Sequence, residues 1–169
     1  MKKHRNIRLW IIAAFIALLA TLLFAAKLDF LLVTGESNRP VWALPLYGQR
    51  NFSLAYTHSV QKTPVVENFK VNPGPMLLLQ STVYQSLGVG LPFLPEEGKL
   101  TIVEDKFVLS GIDRQFKELN LISLPLAEQA LIYKGKRYKF SHSFSPGEQI
   151  SIKIKTMSPG RAVLTILLS

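Results

Sequence analysis

The feature that most constrains this chain is an unbroken apolar segment near its N-terminus. Residues 9–26 carry no charged side chain, and their only polar side chain is the hydroxyl of Thr21. A helix of that length spans about 27 Å, close to the roughly 30 Å hydrocarbon core of a bilayer. Four basic residues precede the segment: Lys2, Lys3, Arg5 and Arg8. We therefore expect one N-terminal transmembrane helix, with residues 1–8 in the cytoplasm.

A cleaved signal peptide is the alternative interpretation of this segment. Signal peptides have a shorter apolar region, about 7–15 residues, and small residues at A-x-A spacing before the cut. A cut after Ala26 would place Phe24 at one of those positions, and a cut after Ala25 would place Leu23 there. We favour an uncleaved single-pass anchor, which leaves the rest of the chain outside the cytoplasmic membrane.

The charge balance narrows the class of partner. The formal net charge is +9, but the first eight residues hold four of the 20 basic side chains and no acid, which leaves +5 for the remainder. These basic residues are dispersed, and a location outside the cytoplasm removes the usual contact with nucleic acid. We expect no nucleic-acid partner, and instead a contact with membrane lipid or an acidic protein surface. The absence of cysteine fits that compartment.

Beyond the apolar segment the pattern becomes that of an all-β domain. Phe52, Leu54 and Tyr56 alternate with smaller or polar residues, as do the isoleucines of 150–154, which predicts half-buried strands. Further short apolar runs lie between Gly- and Pro-containing turns, at 76–79, 100–103, 107–109, 116–121, 130–133, 138–140 and 163–168. Short strands at such intervals predict an antiparallel β-sandwich or small barrel. We divide the chain into a basic N-terminus (1–8), an anchor (9–26), a juxtamembrane linker (27–40) and a β-domain (41–169).

The segment YTHSVQKTPVVENF, residues 56–69, brings a histidine, a serine and a glutamate together between two apolar runs. If residues 59–64 form the loop of a hairpin, His58 and Glu67 become diagonal neighbours on one sheet face, with Cα atoms roughly 7–8 Å apart. This arrangement is compatible with a structural His–Glu pair, with a recognition site at the rim of the sheet, or with catalysis. Ser59 directly follows His58 and points to the opposite face, so proton transfer between them is poorly placed.

Metal binding is not expected in this segment. A metal site would need a third ligand, and His142 is the only other histidine of the predicted β-domain. We therefore expect no metal and no cofactor.

Two other segments have functional interpretations. Gly88 and Gly90 allow a close backbone approach in a ligand loop over 84–92, although an ordinary irregular turn is the simpler interpretation. The segment 133–139 predicts a tight hairpin turn at Gly135 that presents a basic patch. Its side chains either protect a sheet edge or contact headgroups or an acidic partner; they are Lys134, Lys136, Arg137 and Lys139.

The spacing HS-x-x-K-T-P-x-x-E-x-F at 58–69, followed by GVGLP at 88–92, resembles the signature of a small bacterial family known as domain of unknown function 1850. The matching positions are His58, Ser59, Lys62, Thr63, Pro64, Glu67, Gly88, Gly90, Leu91 and Pro92. By gene neighbourhood this family is associated with TAXI-type TRAP transporters, which are solute importers with an extracytoplasmic binding protein and a large membrane subunit. The resemblance implies an accessory role there and assigns no reaction to any residue.

The resulting expectation is a single-pass protein of the bacterial inner membrane that binds protein and is not an enzyme. Its expected partners are the TRAP membrane subunit, the TAXI-type solute-binding protein, or both. An envelope hydrolase using His58 and Glu67 is one alternative. A small-ligand module, closed by the loop over 84–92, is another.

Overall fold

A computed structural model describes residues 2–72, 74–86 and 98–168, and it describes no side chains for residues 2–6 and 9. Two antiparallel β-sheets make up most of the described chain, with one helix at each end. The prediction of an all-β domain is therefore confirmed in its class. The arrangement of the two sheets is that of a β-sandwich.

The first sheet has four strands, in the order β2-β1-β11-β8. Their bounds are Leu28–Thr34 for β1, Pro40–Pro45 for β2, Glu118–Ile122 for β8 and Gln149–Met157 for β11. Strand β1 lies at the centre, and Leu31, Leu32 and Val33 are all buried there. Burial on both faces explains why this strand reads as a continuous apolar run rather than an alternating one.

The second sheet has seven strands, in the order β10-β9-β3-β4-β5-β7-β6. Their bounds are Asn51–Thr57 for β3, Pro64–Val71 for β4, Leu77–Tyr84 for β5, Lys99–Val103 for β6, Lys106–Phe116 for β7, Ala130–Tyr133 for β9 and Lys136–Lys139 for β10. The alternation of Phe52 and Leu54 points one face of β3 into the core, as the sequence predicts.

The main core lies between the two sheets. Its buried side chains include Leu31 and Val33 from β1, Ile152 from β11, and Phe52 and Phe69 from the second sheet. The rings of Phe52 and Phe69 stack with centroids 5.1 Å apart. Each apolar side chain buried in this way contributes about 1.5–3 kcal/mol relative to exposure, so the contact between the sheets holds the domain together.

The predicted linker over 27–40 is wrong for its first part, because residues 28–34 form β1. This strand pairs with β11 from Leu28 opposite Met157 to Thr34 opposite Ser151. Only the turn between β1 and β2 remains of the predicted linker.

The apolar run at 163–168, predicted as a strand, lies in a helix. Helix α2 spans Pro159–Leu167, and the Ser158 side chain accepts a hydrogen bond from the backbone N–H of Arg161. A serine cap followed by proline at the first helical position is a strong helix start. The buried face of α2 places Ala162 against Phe30, Leu32 and Met157 on the outer side of the first sheet.

Helix α1 spans Lys2–Ala25 and contains most of the apolar segment. Within the part of the chain that the structure describes, no helix is long and apolar enough to cross a membrane. The transmembrane helix expected over 9–26 is therefore not confirmed.

The strand directions give the sandwich two distinct ends. We call the end where α1 meets β1 and β11 meets α2 the helix end, and the opposite one the distal end. Arg50, just before β3, pairs with Asp29 of β1 at 2.9 Å and so belongs to the helix end. The turn after β3, which holds His58, belongs to the distal end. The nine residues of β11 separate the two ends by about 27 Å.

Candidate functional site

A cavity of about 400 Å³ opens at the distal end, between the turn after β3 and the segment that follows β8. We call it the distal cavity. Its apolar walls are formed by Leu54, Leu121, Leu124, Ala127, Ala130 and Phe140. Its polar lining comes from Tyr56, Thr57, His58, Ser59, Glu67 and Gln129. Apolar walls with a few placed polar groups are typical of a ligand-binding or recognition site.

A larger depression of about 550 Å³ lies at the edge of the first sheet, beside β8. The Glu118 carboxylate there accepts hydrogen bonds from Ser151 and Lys153. These bonds explain why the pKa of this exposed carboxyl is lowered. The distal cavity is the stronger candidate of the two, because burial is the largest influence on the pKa of Tyr56 and of Glu67, which both line it.

The hairpin between β3 and β4 sets the position of the predicted site residues. The backbone N–H of His58 donates to the carbonyl of Thr63 at 2.9 Å, and that of Lys62 donates to the carbonyl of His58 at 3.0 Å. Lys62 closes the turn with a φ of +55°. Tyr56 pairs with Val65, and Leu54 pairs with Glu67. A hairpin loop over 59–64 would instead have paired His58 with Val65. The predicted register is therefore wrong by two residues.

The predicted diagonal pair of His58 and Glu67 is not formed. His58 lies opposite Thr63, and Thr63 precedes Glu67 by four residues. That separation places their Cα atoms about 14 Å apart. The two side chains still line the same cavity, so the face was predicted correctly and the contact was not.

His58 is buried and organises the turn. Its Nδ1 atom accepts hydrogen bonds from the backbone N–H of Val60 at 3.2 Å and of Gln61 at 3.1 Å. An imidazole nitrogen that accepts carries no proton, so Nδ1 serves the turn as an acceptor. His58 is thus a buried cap for a tight loop.

Tyr56 is the residue that contacts Glu67. Its hydroxyl donates a hydrogen bond to Oε1 of Glu67 at 3.1 Å. Burial raises the pKa of Glu67, and the hydrogen bond from Tyr56 partly opposes that rise. Burial also raises the pKa of Tyr56, and the negative charge of Glu67 adds to that effect. The pair therefore puts a half-buried acid on the inner face of the second sheet, between Val65 and Phe69.

The remaining motif residues of the hairpin support the turn. Ser59 and Lys62 are exposed in it, and the hydroxyl of Thr63 lies 3.2 Å from that of Ser86, just beyond the end of β5. Pro64 is the first residue of β4, a position where its missing N–H is tolerated.

Two other predictions have different outcomes. Gly88, Gly90, Leu91 and Pro92 lie outside the described residues, so the loop over 84–92 stays a prediction. The predicted basic hairpin turn is confirmed: Lys134 and Gly135, with φ of +48° and +73°, join β9 to β10, as a two-residue type I′ turn requires.

The basic patch is exposed, and it runs along β10 between the two ends. Lys134 lies in the turn at the helix end, whereas Lys139 pairs with Ala130, which lines the distal cavity. The Lys134 ammonium donates to the carbonyl of Tyr47 at 2.9 Å and lies 5.3 Å from the centroid of the Tyr133 ring. The Tyr133 hydroxyl donates to the carbonyl of Pro45 at the end of β2. Lys136, Arg137 and Lys139 lie on the edge strand β10, where positive charge discourages pairing with another sheet.

Two parts of the site were not identified from the sequence. Gln129 and the wall at 121–127 come from a segment with no motif of its own, and only the fold brings it to the hairpin. Tyr56 carried a usable signal, because it shares the inward face of β3 with Leu54. Among the described residues, no three His, Cys, Asp or Glu side chains converge as metal ligands would.

The comparison with protein families matches residues 52–140 to the family described as "Domain of unknown function (DUF1850)". The chain belongs to the DUF1850 family. The match covers more than half of the chain, including the second sheet except Asn51, the whole hairpin motif and the wall of the distal cavity. The comparisons with curated proteins and with solved structures gave no match. The DUF1850 description names no activity.

Proposed function

We propose that this protein is a membrane-anchored accessory subunit of a TAXI-type TRAP solute transporter, and that it recognises a partner through its distal cavity. The partner is the TRAP membrane subunit or the TAXI-type solute-binding protein. The hairpin motif of His58, Pro64 and Glu67 supports the link, because the family it resembles is associated with such transporters by gene neighbourhood.

The character of α1 supports the anchor. Every described side chain from residue 10 to residue 25 is exposed, including the large apolar groups of Trp10, Phe15 and Phe24. The hydroxyl of Thr21 donates to the carbonyl of Ala17 at 2.8 Å, so the one polar side chain of the segment is satisfied within the helix. Such a helix gains from apolar surroundings, and the basic residues before it favour a cytoplasmic N-terminus.

The observation that carries the recognition proposal is the half-buried Glu67–Tyr56 pair in the wall of the distal cavity. A carboxylate is costly to hold out of water unless its hydrogen-bonding capacity is filled. Tyr56 donates one bond to Oε1, and a partner that brings a positive or hydrogen-bonding group would add another. The cavity also opens at the end away from α1, where an anchored domain meets proteins outside the membrane.

The test is affinity purification of the tagged full-length chain from gently solubilised membranes of its own host, with partners identified by mass spectrometry. We expect a TRAP subunit with the wild-type chain, and at least about tenfold less of it with Glu67→Gln, a loss equivalent to about 1.4 kcal/mol. Glu104→Gln makes the same chemical change at an exposed turn and should leave recovery unchanged. Recovery of no TRAP subunit with the wild type would contradict the transporter link.

A small-ligand module is the second candidate, and the volume of the distal cavity favours it. About 400 Å³ falls within the range of about 300–1,000 Å³ that small-molecule sites occupy. Native mass spectrometry of the purified full-length chain separates the two candidates. A bound small molecule that Glu67→Gln releases would support the module, whereas an unliganded chain that still recovers a TRAP subunit would support protein recognition.

The envelope hydrolase has no comparable support. Its two proposed groups are about 14 Å apart at their Cα atoms. The backbone of the turn also engages Nδ1 of His58.

A further inference from the structure

Helix α2 buries one face on the first sheet and exposes large apolar side chains on the other. Its buried face packs on the first sheet through Ala162. Gly160 lies against the ring of Phe24 in α1, so closely that a Cβ atom there would be 2.7 Å from ring carbons. The side away from Ala162 begins with that contact to α1 and then exposes Val163, Leu164, Leu167 and Leu168. An exposed apolar surface on a helix marks a contact with lipid or protein.

Basic side chains border this apolar face. Lys27 and Arg161 line a cavity of about 280 Å³ between the end of α1 and the start of α2, together with Phe24 and Ser158. Lys27 also lines a second cavity with Tyr47, whose carbonyl accepts from Lys134. The helix end therefore carries at least three cationic side chains, those of Lys27, Lys134 and Arg161.

The carboxylate of Asp29, at the helix end, already accepts hydrogen bonds from its neighbours. Asp29 accepts hydrogen bonds from Arg50 at 2.9 Å and from Thr156 at 2.7 Å. These bonds lower the pKa of Asp29, the one from Thr156 contributing most. Because Arg50 neutralises Asp29, the cations of Lys27, Arg161 and Lys134 set the sign of the local field.

We propose that the helix end is a lipid-surface contact, in which α2 lies in the interface of a bilayer that contains anionic phospholipid. The exposed leucines of α2 enter the acyl-chain boundary, and Lys27, Arg161 and Lys134 meet the headgroup phosphates. With nine residues, α2 is about 13 Å long and too short to span a bilayer, whereas an amphipathic helix bordered by cations suits the interface. The inference rests on the proposed anchor, since α1 carries α2 to the membrane.

The absence of cysteine from the chain makes a site-specific test direct. Leu167→Cys, at an exposed position, is labelled with an environment-sensitive fluorophore, and the full-length chain is reconstituted in vesicles of phosphatidylcholine with phosphatidylglycerol. Nitroxide-bearing lipids should quench the label strongly. The matched control is Leu126→Cys, which is 97% exposed in the turn Pro125–Ala127 at the distal end and should stay unquenched.

A triple substitution tests whether the basic side chains contribute to the lipid contact. Replacing Lys27, Lys134 and Arg161 by Gln should reduce quenching at position 167 at least about twofold, and more at low salt than at high salt, because salt screens headgroup attraction. Vesicles of pure phosphatidylcholine should have the same effect on the unreplaced chain. Equal quenching under all these conditions would contradict the role of anionic headgroups.

Resistance to alkaline washing separates this inference from the proposed anchor. A chain that stays in the vesicles after the wash but whose label at position 167 remains unquenched would overturn the lipid contact and leave the anchor standing. A chain that the wash releases, although its label was quenched, would overturn the anchor alone. A label that only native membranes protect would make a protein helix the occupant and would also overturn the lipid contact.

Discussion

At the scale of single residues, the hairpin motif supplies two polar groups with separate tasks. His58 satisfies the backbone of the turn through Nδ1, whereas Glu67 faces the distal cavity with Tyr56 as its donor. The motif alone suggests that the histidine and the acid contact each other, because they share a face. The loop is shorter than predicted, and the resulting register separates the two side chains. His58 itself stabilises this short loop by accepting hydrogen bonds from its backbone.

Glu67 should make the free energy of unfolding depend on pH. Burial raises the pKa of Glu67, so the folded chain binds this proton more tightly than the unfolded chain. The contribution of this group is therefore fully present at acidic pH and is lost as the pH rises through the raised pKa. Glu67→Gln has no proton to lose. We expect its melting temperature to exceed that of the wild type by a margin that grows from pH 4 to pH 8.

Thermal unfolding of the detergent-solubilised full-length chains across that range measures the margin. At the acidic limit the two chains should differ by less than about 1 kcal/mol, because both present a neutral group of the same shape to Tyr56. A constant difference across the range would mean that Glu67 titrates as it does in the unfolded chain.

The turn should respond to the shape of the residue at position 58. His58→Ala leaves two backbone donors without their acceptor and should cost about 1–2 kcal/mol, as the loss of a helix cap does. His58→Asn places an oxygen near the position of Nδ1 and should recover most of that loss, whereas the longer His58→Gln should recover little. Chemical denaturation of the three variants gives the ranking; equal losses for Asn and Gln would contradict the capping role.

At the scale of elements, patterning succeeds where a strand has one wet face. Strand β3 alternates apolar with smaller or polar residues, and β9 ends in the turn at Gly135. Both strands lie where the sequence predicts them. Strand β1 fails that test because both of its faces are buried, so its apolar run merges with the N-terminal segment. Helix α2 fails it because its β-branched and leucine residues read as strand, although Ser158 and Pro159 form a helix start that could have been recognised.

At the scale of the whole molecule, the two sheets put different chemistry at opposite ends. The helix end gathers α1, the apolar face of α2 and the basic residues Lys27 and Arg161, whereas the distal end holds the cavity with Glu67. No sequence pattern predicts this division, because it depends on the pairing of β1 with β11 across more than a hundred residues. An anchored protein with this arrangement would stand on the membrane and present its cavity outward.

Site-specific photocrosslinking in native membranes compares the two ends directly. A photoreactive amino acid at Leu126, beside the distal cavity, should capture the TRAP membrane subunit or the TAXI-type solute-binding protein. The same amino acid at Leu167 of α2 should capture neither protein. Capture of a TRAP subunit from position 167 but not from position 126, or from neither position, would contradict recognition through the distal cavity.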